Sequence, residues 1–287
     1  MKSLYDISAP AKLNLFLHIT GRRSDGYHLL QSVFMLIDWC DTLHFDIRTD
    51  GLISREDLNT PLPAEDLIVR AARALQASSG SPLGVHIGIK KQIPAQAGMG
   101  GGSSDAASTL LALNRLWKLG YSLEQLSLIG VQLGADVPFF LGGHNAWVEG
   151  IGETLSPIQL PAAQFLVVKP AEGLETKLIF LDPSLKRDSS TAIISSFAAD
   201  AFGFGQNNLQ RVAERLCPSV TQALQWLESK GLKGRMTGSG SAVFAQVLQN
   251  INLEDAPSAY QVKLCNNLSV HPLEGWAVKN RLSVEGF

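Results

Sequence analysis

The segment PAQAGMGGGSSD, residues 94–105, is the most informative part of the chain. It runs directly into residues 106–113, AASTLLAL, whose composition predicts a helix. Glycine permits positive φ and lets a ligand approach bare backbone amides. The first amides of a helix lack an internal partner, and the helix dipole places partial positive charge there. The segment therefore predicts a phosphate-binding loop at the start of a helix.

Three familiar glycine-rich motifs do not match this loop. A Walker loop ends in Gly-Lys-Ser/Thr, and no lysine is present here. A dinucleotide fingerprint requires Gly-x-Gly-x-x-Gly, which fails at Ser103. A nucleophile elbow requires glycine where Asp105 stands. A flexible linker is the remaining alternative, and it is disfavoured because the segment continues straight into a helix.

Composition predicts a soluble globular protein of one or two domains. The chain has 287 residues, 45% hydrophobic and 17% charged, with a formal net charge of −2. That balance argues against a nucleic-acid partner, and no apolar run is long enough for a membrane span or signal peptide. The three cysteines, Cys40, Cys217 and Cys265, are widely spaced. We interpret them as buried thiols in a cytoplasmic protein.

Periodicity gives a coarse map of an α+β chain. Strands are predicted over 11–19, 33–37, 42–47 and 85–89, and helices over 66–75, 103–118 and 122–133. The pattern changes near Pro157, which predicts two domains, 1–156 and 157–287. In the second we expect a strand over 165–170, helices over 206–216 and 218–229, and a strand–turn–strand unit over 235–244. Residues 182–196 are interpreted as a mobile connector, and the tail after Trp276 shows weak periodicity.

Two isolated charges lie in apolar surroundings. Lys12 is in APAKLNL and Asp136 is in LGADVPFF. Burial of an unpaired charge is costly, so each requires a partner. One interpretation is a Lys–Asp pair for phosphoryl transfer, in which the carboxylate accepts a hydroxyl proton. The other is a structural salt bridge, or an aspartate that only caps the turn before Pro138.

Three further features are weaker signals. The polar turn over 21–28 contains Tyr27, a possible stacking face, and His28, a possible hydrogen-bonding edge; it could equally be a plain hairpin. Gly238, Ser239 and Gly240 form a second glycine turn, which could supply amides to phosphates or simply join two strands. Asp105 beside a phosphate loop indicates either a bound Mg²⁺ or an acidic residue favoured by the helix dipole.

Taken in order along the chain, these segments resemble the GHMP small-molecule kinases. The resemblance covers residues 5 to 275 approximately and is carried by PAKLNL, GYH, PAQAGMGGGSSDAA, LGADVP and TGSG. It implies a two-lobed α+β fold, with a left-handed β-α-β unit in the N-terminal lobe and a ferredoxin-like C-terminal lobe. Within the family the chain is most similar to members that act on a cytidine diphosphate-linked methylerythritol in the non-mevalonate (MEP/DXP) route to isopentenyl diphosphate.

The resemblance also implies an activity, a phosphotransferase with an alcohol acceptor. ATP with Mg²⁺ would be the cofactor, and the 2-hydroxyl of the cytidyl substrate would be the acceptor. Asp136 would be the general base and Lys12 its electrostatic partner. The ATP phosphates would lie on Pro94, Ala95, Gln96, Ala97, Gly98, Met99, Gly100, Gly101, Gly102, Ser103 and Ser104.

For the substrate, the resemblance implies stacking of cytosine between Tyr27 and Phe180, with His28 at its edge and Asn14 orienting the erythritol end. The metal ligand stays open between Ser104 and Asp105. A kinase for another small alcohol, such as homoserine or mevalonate, is the alternative. A non-catalytic nucleotide-binding protein is disfavoured by the presence of both Lys12 and Asp136. We expect a monomer or weak dimer.

Overall fold

The computed structural model describes residues 1–278. Ten strands are present in that range: β1 Ser3–Arg22, β2 His28–Arg48, β3 Ile53–Asp57, β4 Gly84–Lys90, β5 Ala146–Glu149, β6 Thr154–Pro157, β7 Gln164–Lys169, β8 Arg235–Met236, β9 Val243–Val247 and β10 Gln261–Asn266. The helices of the same range are α1 Leu67–Ser79, α2 Gly101–Leu116, α3 Leu123–Leu133, α4 Val137–Gly142, α5 Thr176–Leu181, α6 Ile194–Ala199, α7 Gln210–Leu216 and α8 Pro218–Ser229.

The first lobe is a six-stranded sheet built around β2. Strand β2 pairs with β1 along most of its length, with β4 through its C-terminal half and with β5 through its N-terminal half. Strands β3 and β4 are parallel and joined through α1, so this β-α-β unit is the place of the crossover that the resemblance implies. Helices α1 to α4 pack with the sheet into one apolar core, which includes Leu110, Leu113 and Phe140.

The second lobe is a four-stranded antiparallel sheet in the order β10-β7-β9-β8. Counted within the lobe this is 4-1-3-2, the strand order of the ferredoxin-like fold that the resemblance implies. In the sequence, helices α5 to α8 all lie between β7 and β8. Residues 248–260, between β9 and β10, contain no helix.

The polypeptide crosses back to the first lobe at its C-terminal side. After β10, Leu268 N donates to Leu36 O and His271 N donates to Gly143 O. Leu273 and Ala277 are buried in the core of the first lobe. The predicted domain division at 156/157 falls at the C-terminal end of β6, the last strand of the first sheet in sequence, and it stays a prediction. Residues 267–278 pack against the first lobe although they follow the second lobe in sequence.

Many of the predicted elements are present, but the strands predicted over 33–37 and 42–47 are parts of a single 21-residue strand, β2. The predicted strand over 11–19 lies inside the 20-residue β1, and the helices over 66–75, 103–118 and 122–133 correspond to α1, α2 and α3. Strands β3, β5, β6 and β10, of four to six residues each, were not predicted, although the equally short β7 and β9 were.

Residues 182–196, which we interpreted as a mobile connector, make specific hydrogen bonds to other parts of the structure. Ser189 N donates to Ile19 O at 3.0 Å, and Ser189 Oγ donates to Asn208 Oδ1 at 2.7 Å. Helix α6 begins at Ile194 within the predicted connector. Of the tail after Trp276, residues 279–287 lie outside the described residues. None of the helices in residues 1–278 has the length and apolarity of a membrane span.

Candidate active site

A cleft of about 890 Å³ lies between the two lobes. The first lobe lines it with Lys12, Asp136, Asp105 and residues 62, 63, 65–67, 70, 91 and 93–103. The second lobe contributes residues 174–177, Phe180, Leu209 and the turn 238–240. The cleft thus brings together both glycine segments and both isolated charges that the sequence singled out.

The glycine loop ends where α2 begins. Gly98 and Gly100 have φ of +71° and +72°, in the left-handed region that favours glycine. Gly100 is the N-cap residue, and Ser104 N makes the first backbone hydrogen bond of the helix, to Gly100 O. The amides of residues 101–103 therefore have no partner within the helix. A side chain at Gly100 would place Cβ 3.0 Å from the Phe140 ring, so this ring packs closely against the loop.

The second glycine turn lies directly against the first. Ser241 N donates to Gln96 O and Ala242 N donates to Ala97 O, which joins the loop to the start of β9. A Cβ on Gly98 would lie 2.3 Å from Thr237 O, and a Cβ on Gly238 would lie 2.6 Å from Gly98 O. The two backbones are therefore in contact with no room for a side chain between them.

Lys12 and Asp136 form an ion pair at the wall of the cleft. Lys12 Nζ lies 3.6 Å from Asp136 Oδ2; the lysine side chain is 4% exposed and the aspartate side chain 30%. Burial lowers the pKa of Lys12, and the charge of Asp136 opposes that shift. Asp136 precedes α4, but its side chain makes no capping hydrogen bond. The carboxylate thus faces the cleft and Lys12 rather than the helix end, which disfavours the simple turn-cap interpretation.

Asn14 lies behind this pair, two residues along β1. Lys12 Nζ donates to Asn14 Oδ1 at 2.5 Å, and Asn14 Nδ2 donates to Ser32 Oγ at 2.9 Å. Its backbone amide donates to Thr237 Oγ1 in the second lobe. Asn14 is only 1% exposed and does not line the cleft. Its direct contact is with Lys12.

The predicted base-binding residues lie near the α5 end of the cleft. The rings of His28 and Phe180 have centroids 5.1 Å apart. Tyr27 is 61% exposed at the tip of the β1–β2 turn, and Tyr27 and His28 are not part of the cleft lining. Arg187 Nε donates to His28 Nε2 at 3.0 Å, so Nε2 is the acceptor and, in the neutral ring, Nδ1 holds the proton. Burial and the nearby Arg187 lower the pKa of His28, which favours the neutral ring.

Beneath the glycine loop, Asp105 is paired with a lysine of the chain itself. Lys91 Nζ donates to Asp105 Oδ2 at 2.6 Å and also to Asp41 Oδ2. Asp41 Oδ1 in turn accepts from the amides of residues 92 and 93, which enter the loop. Burial raises the pKa of Asp105 to about 8; the charge of Lys91 opposes this shift and that of Asp41 adds to it.

The two candidate metal ligands, Ser104 and Asp105, have different hydrogen-bonding surroundings. Asp105 Oδ2 is occupied by Lys91, which supplies the positive charge that the sequence left unaccounted for. Ser104 is fully buried, and its hydroxyl has no hydrogen-bond partner. No group of three His, Cys, Asp or Glu side chains suited to a metal occurs within residues 1–278. This part of the chain therefore offers no closed cage, and a Mg²⁺ ion here would depend on oxygens of a bound phosphate.

Sequence reasoning missed Lys91, Asp41 and Arg187. Asp41 lies within β2 and Lys91 directly follows β4, 50 residues apart in sequence, and no local spacing connects them. Arg187 lies in the polar segment that was interpreted as a connector. The signal that existed was indirect: an acidic residue at a phosphate loop requires a cation nearby.

Comparison with known proteins decides the family. Models of the GHMP kinase N-terminal and C-terminal domains match residues 66–144 and 191–264. A relative from Albidiferax ferrireducens, named 4-diphosphocytidyl-2-C-methyl-D-erythritol kinase, is 79% identical over 99% of both chains. One from an Acidovorax species with the same name is 67% identical over 96% of this chain and 99% of its own. The chain belongs to the 4-diphosphocytidyl-2-C-methyl-D-erythritol kinases of the GHMP family.

Solved structures agree with that membership. A 4-(cytidine 5'-diphospho)-2C-methyl-D-erythritol kinase aligns over 92% of this chain and 98% of its own, with a TM-score of 0.74 and 32% identity. A homoserine kinase from Cytophaga hutchinsonii aligns with a TM-score of 0.66 at 14% identity, over 94% and 96%. That second match shows the shared fold alone. The two-lobed GHMP kinase fold predicted from the sequence is thus confirmed, and so is the assignment to small-molecule kinases.

Replacement of Gly100 by alanine should abolish ATP binding by this kinase. The residue is left-handed, and its Cβ would press on Phe140 and lie 3.3 Å from Lys12 Cγ. Gly101, the next residue of the loop, is helical and is not in the left-handed region. Calorimetry with a non-hydrolysable ATP analogue measures the effect.

Gly120→Ala is the matched control for Gly100→Ala. Gly120 has φ of +70°, but nothing lies within 4 Å of an added Cβ. It introduces similar backbone strain away from the cleft and should leave the dissociation constant unchanged. Equal loss of binding in both variants would show that strain, not the loop geometry, is responsible.

The pKa of Asp105 predicts a pH-dependent stability. The folded protein retains a proton that the unfolded chain releases above the ordinary aspartate pKa of 3.8. The free energy of unfolding therefore falls as pH rises towards 8, by at most ~1.4 kcal/mol per pH unit. Asp105→Asn lacks this contribution. The difference in free energy of unfolding between wild type and Asp105→Asn should therefore shrink between pH 5 and 8. Urea unfolding without nucleotide or added metal measures it.

Asp182→Asn serves as the control for this titration. Hydrogen bonds from Ser184 lower the pKa of Asp182, so the group is ionised throughout pH 5–8 in both folded and unfolded chains. Its effect on stability should be constant over that range. A constant deficit for Asp105→Asn as well would contradict the raised pKa.

Proposed function

We propose that this enzyme transfers the γ-phosphoryl group of ATP to the 2-hydroxyl of 4-diphosphocytidyl-2-C-methyl-D-erythritol, in the non-mevalonate route to isopentenyl diphosphate. One observation carries the chemistry: a buried lysine paired with a partly exposed aspartate, in a cleft whose walls include two abutting glycine turns. The relatives' names supply the substrate.

In the proposed reaction, Asp136 accepts the proton of the substrate hydroxyl. The hydroxyl oxygen then forms a bond to the γ-phosphorus while the bond to the β-phosphate oxygen breaks, and ADP leaves. Lys12 stabilises the ionised form of Asp136 and offsets phosphate charge. Asn14 would orient the substrate's erythritol end indirectly, through Lys12, because its side-chain oxygen accepts from Lys12 Nζ.

The ATP phosphates would lie on the loop 94–104, against the free amides of residues 101–103. Helix α2 points its N-terminus at this position, so its dipole favours an anion there. The turn 238–240 would close the other side. Because Gly98 and Gly238 touch, an ATP bound here would contact both lobes at once.

Mg²⁺ would accompany ATP and offset negative charge on its phosphates. Ser104 is the candidate protein ligand that fits, since its buried hydroxyl lacks a partner, whereas Asp105 is held by Lys91. Most ligands of the ion would come from the nucleotide and from water.

For base recognition, we propose that cytosine lies between Tyr27 and Phe180, with His28 at its edge. Since Arg187 occupies Nε2 of His28, the ring presents an N–H donor at Nδ1. Cytosine carries acceptors on its N3 and O2, which match that donor. Arg187 therefore supports the choice of base by fixing which nitrogen donates.

A kinase for homoserine or mevalonate is the second candidate. Their solved structures share the fold at 14–16% identity, which carries no argument about substrate. The His28–Phe180 contact and the Arg187 bond favour an acceptor with an aromatic base. We place the enzyme in the cytoplasm as a monomer or weak dimer. Its thiols suit a reducing compartment: burial raises the pKa of Cys40 to about 11 and that of Cys265 to about 12.

A direct assay tests this function. ADP release should be strong with 4-diphosphocytidyl-2-C-methyl-D-erythritol and at least about tenfold weaker, in kcat/KM, with homoserine or mevalonate, because each lacks the base that His28 recognises. Comparable rates on homoserine or mevalonate would reject the proposed substrate while leaving the kinase class intact.

Asp136→Asn should bind both substrates nearly as well as wild type but turn over ~10²–10⁴-fold more slowly, the usual cost of losing a positioned base. Asp255→Asn is the control, since this exposed carboxylate pairs with Lys230 on the surface. Steady-state kinetics measures kcat, and calorimetry measures the binding of each substrate. Near-normal kcat in Asp136→Asn would assign the base elsewhere.

Tyr27→Ala should raise KM for the cytidyl substrate and leave KM for ATP unchanged, because loss of a stacking face costs about 1–3 kcal/mol per base. His28→Ala should narrow the gap between cytidyl and uridyl analogues. A rise of both KM values in Tyr27→Ala would place the turn near ATP and contradict the substrate assignment.

A further inference from the structure

A second cavity, of about 320 Å³, lies in the second lobe outside the ATP cleft. It is bounded by residues 205–208, by α7 and by the turn that precedes β8. Four of its ten lining residues are cationic and none is acidic; the cations are Lys186, Arg211, Lys233 and Arg235. The lining of this cavity and that of the ATP cleft share no residue. We call it the basic cavity.

The positive charge of the basic cavity is not neutralised by ion pairs. Lys186, Arg211 and Lys233 are exposed, and within residues 1–278 none of them lies within 4.0 Å of a carboxylate. The guanidinium of Arg235 donates to backbone carbonyls, among them Phe204 O at 2.6 Å and Gly203 O at 3.2 Å. Those bonds fix its position without cancelling its charge.

Two carboxylates come near without compensating the cations. Asp200 attracts Arg235 electrostatically but forms no ion pair with it. Glu214 accepts a hydrogen bond from Gln210, at 2.8 Å, and so is held by a neutral residue of the wall. Among the described residues, no acidic residue lines the cavity or forms an ion pair with its four cations, so an anion that binds among them would reduce their mutual repulsion.

The field of the cavity reaches a neighbouring side chain. The pKa of His18 is lowered, first by burial and then by the charges of Arg235 and Lys186. His18 Nδ1 is buried without a hydrogen-bond partner. Arg235 and Lys186 therefore both contribute to the positive potential at His18.

The wall of the cavity is rigid. Asn207 Nδ2 donates to both Met236 O and Gly238 O at 2.8 Å, and Asn208 Oδ1 accepts from Ile19 N and Ser189 Oγ. These amides are therefore used to build the wall. In the described part of the chain, the charged side chains of the cavity without a partner are Lys186, Lys233 and Arg211, whose donors are suited to phosphate oxygens.

We propose that the basic cavity binds a small molecule that carries a diphosphate group. Its volume lies at the lower end of the range for small-ligand pockets, ~300–1,000 Å³, which fits a compact anion. Four cations match the charge of a diphosphate better than that of a monoanion. A nucleic acid is disfavoured because the cations converge on a cavity and the chain has a net charge of −2.

Calorimetric titration with inorganic diphosphate tests the proposal. The ATP cleft is first saturated with a non-hydrolysable ATP analogue, because diphosphate also suits the glycine loop. One equivalent of diphosphate should then bind, and inorganic phosphate should bind more weakly. Arg211→Gln combined with Lys233→Gln should weaken diphosphate binding about tenfold or more, since each removed contact is a hydrogen bond from a charged donor.

Lys2→Gln combined with Lys118→Gln is the matched control, because it removes the same net charge at exposed positions outside the cavity. It should leave the diphosphate affinity unchanged. Absence of binding to the saturated enzyme would overturn the proposal, as would equal weakening in both double variants. Equal affinity for phosphate and diphosphate would overturn the assignment to a diphosphate group. Unchanged KM for ATP in each variant shows that the protein is folded.

Discussion

The contact between Gly98 and Gly238 is the constraint on which the rest of the site depends. It joins the two lobes backbone to backbone, and any side chain at either position would collide with a carbonyl oxygen. Flanking hydrogen bonds from Ser241 and Ala242 to the loop fix the relative position of the lobes. Because Asn14 N donates to Thr237 Oγ1 in the same region, β1 and its Lys12 are held in register with both turns.

On the first lobe's side of the cleft, each lysine that lines the cleft forms an ion pair with at least one carboxylate. Lys12 has Asp136, and Lys91 has Asp41 and Asp105. The first pair leaves a carboxylate partly exposed at the cleft, where we propose that it acts as the base, whereas the second is buried beneath the loop. This division explains why two aspartates that look alike in sequence, each next to an apolar helix, serve different purposes.

The sequence was sufficient for the parts of the site that are local. The glycine loop, the helix after it and the isolated charges Lys12 and Asp136 could be identified, because each depends on neighbouring residues. Partners that meet only after folding could not be found in this way. The roles of Asp41, Lys91 and Arg187 depend on strand pairing and on a loop without regular structure, and no short-range pattern encodes either. The 4-1-3-2 strand order likewise followed from the resemblance, not from periodicity.

The return of residues 267–278 to the first lobe has a consequence for the order in which the protein is made. His271, Leu273 and Ala277 are buried against the first lobe, whereas residues 272, 274 and 275 between them are exposed. A chain emerging from the ribosome would normally complete its N-terminal unit first. Here Leu273 and Ala277 complete the N-terminal core only after the second lobe has been synthesised, because they follow it in sequence. The packing of the first lobe is therefore finished after the second lobe has emerged.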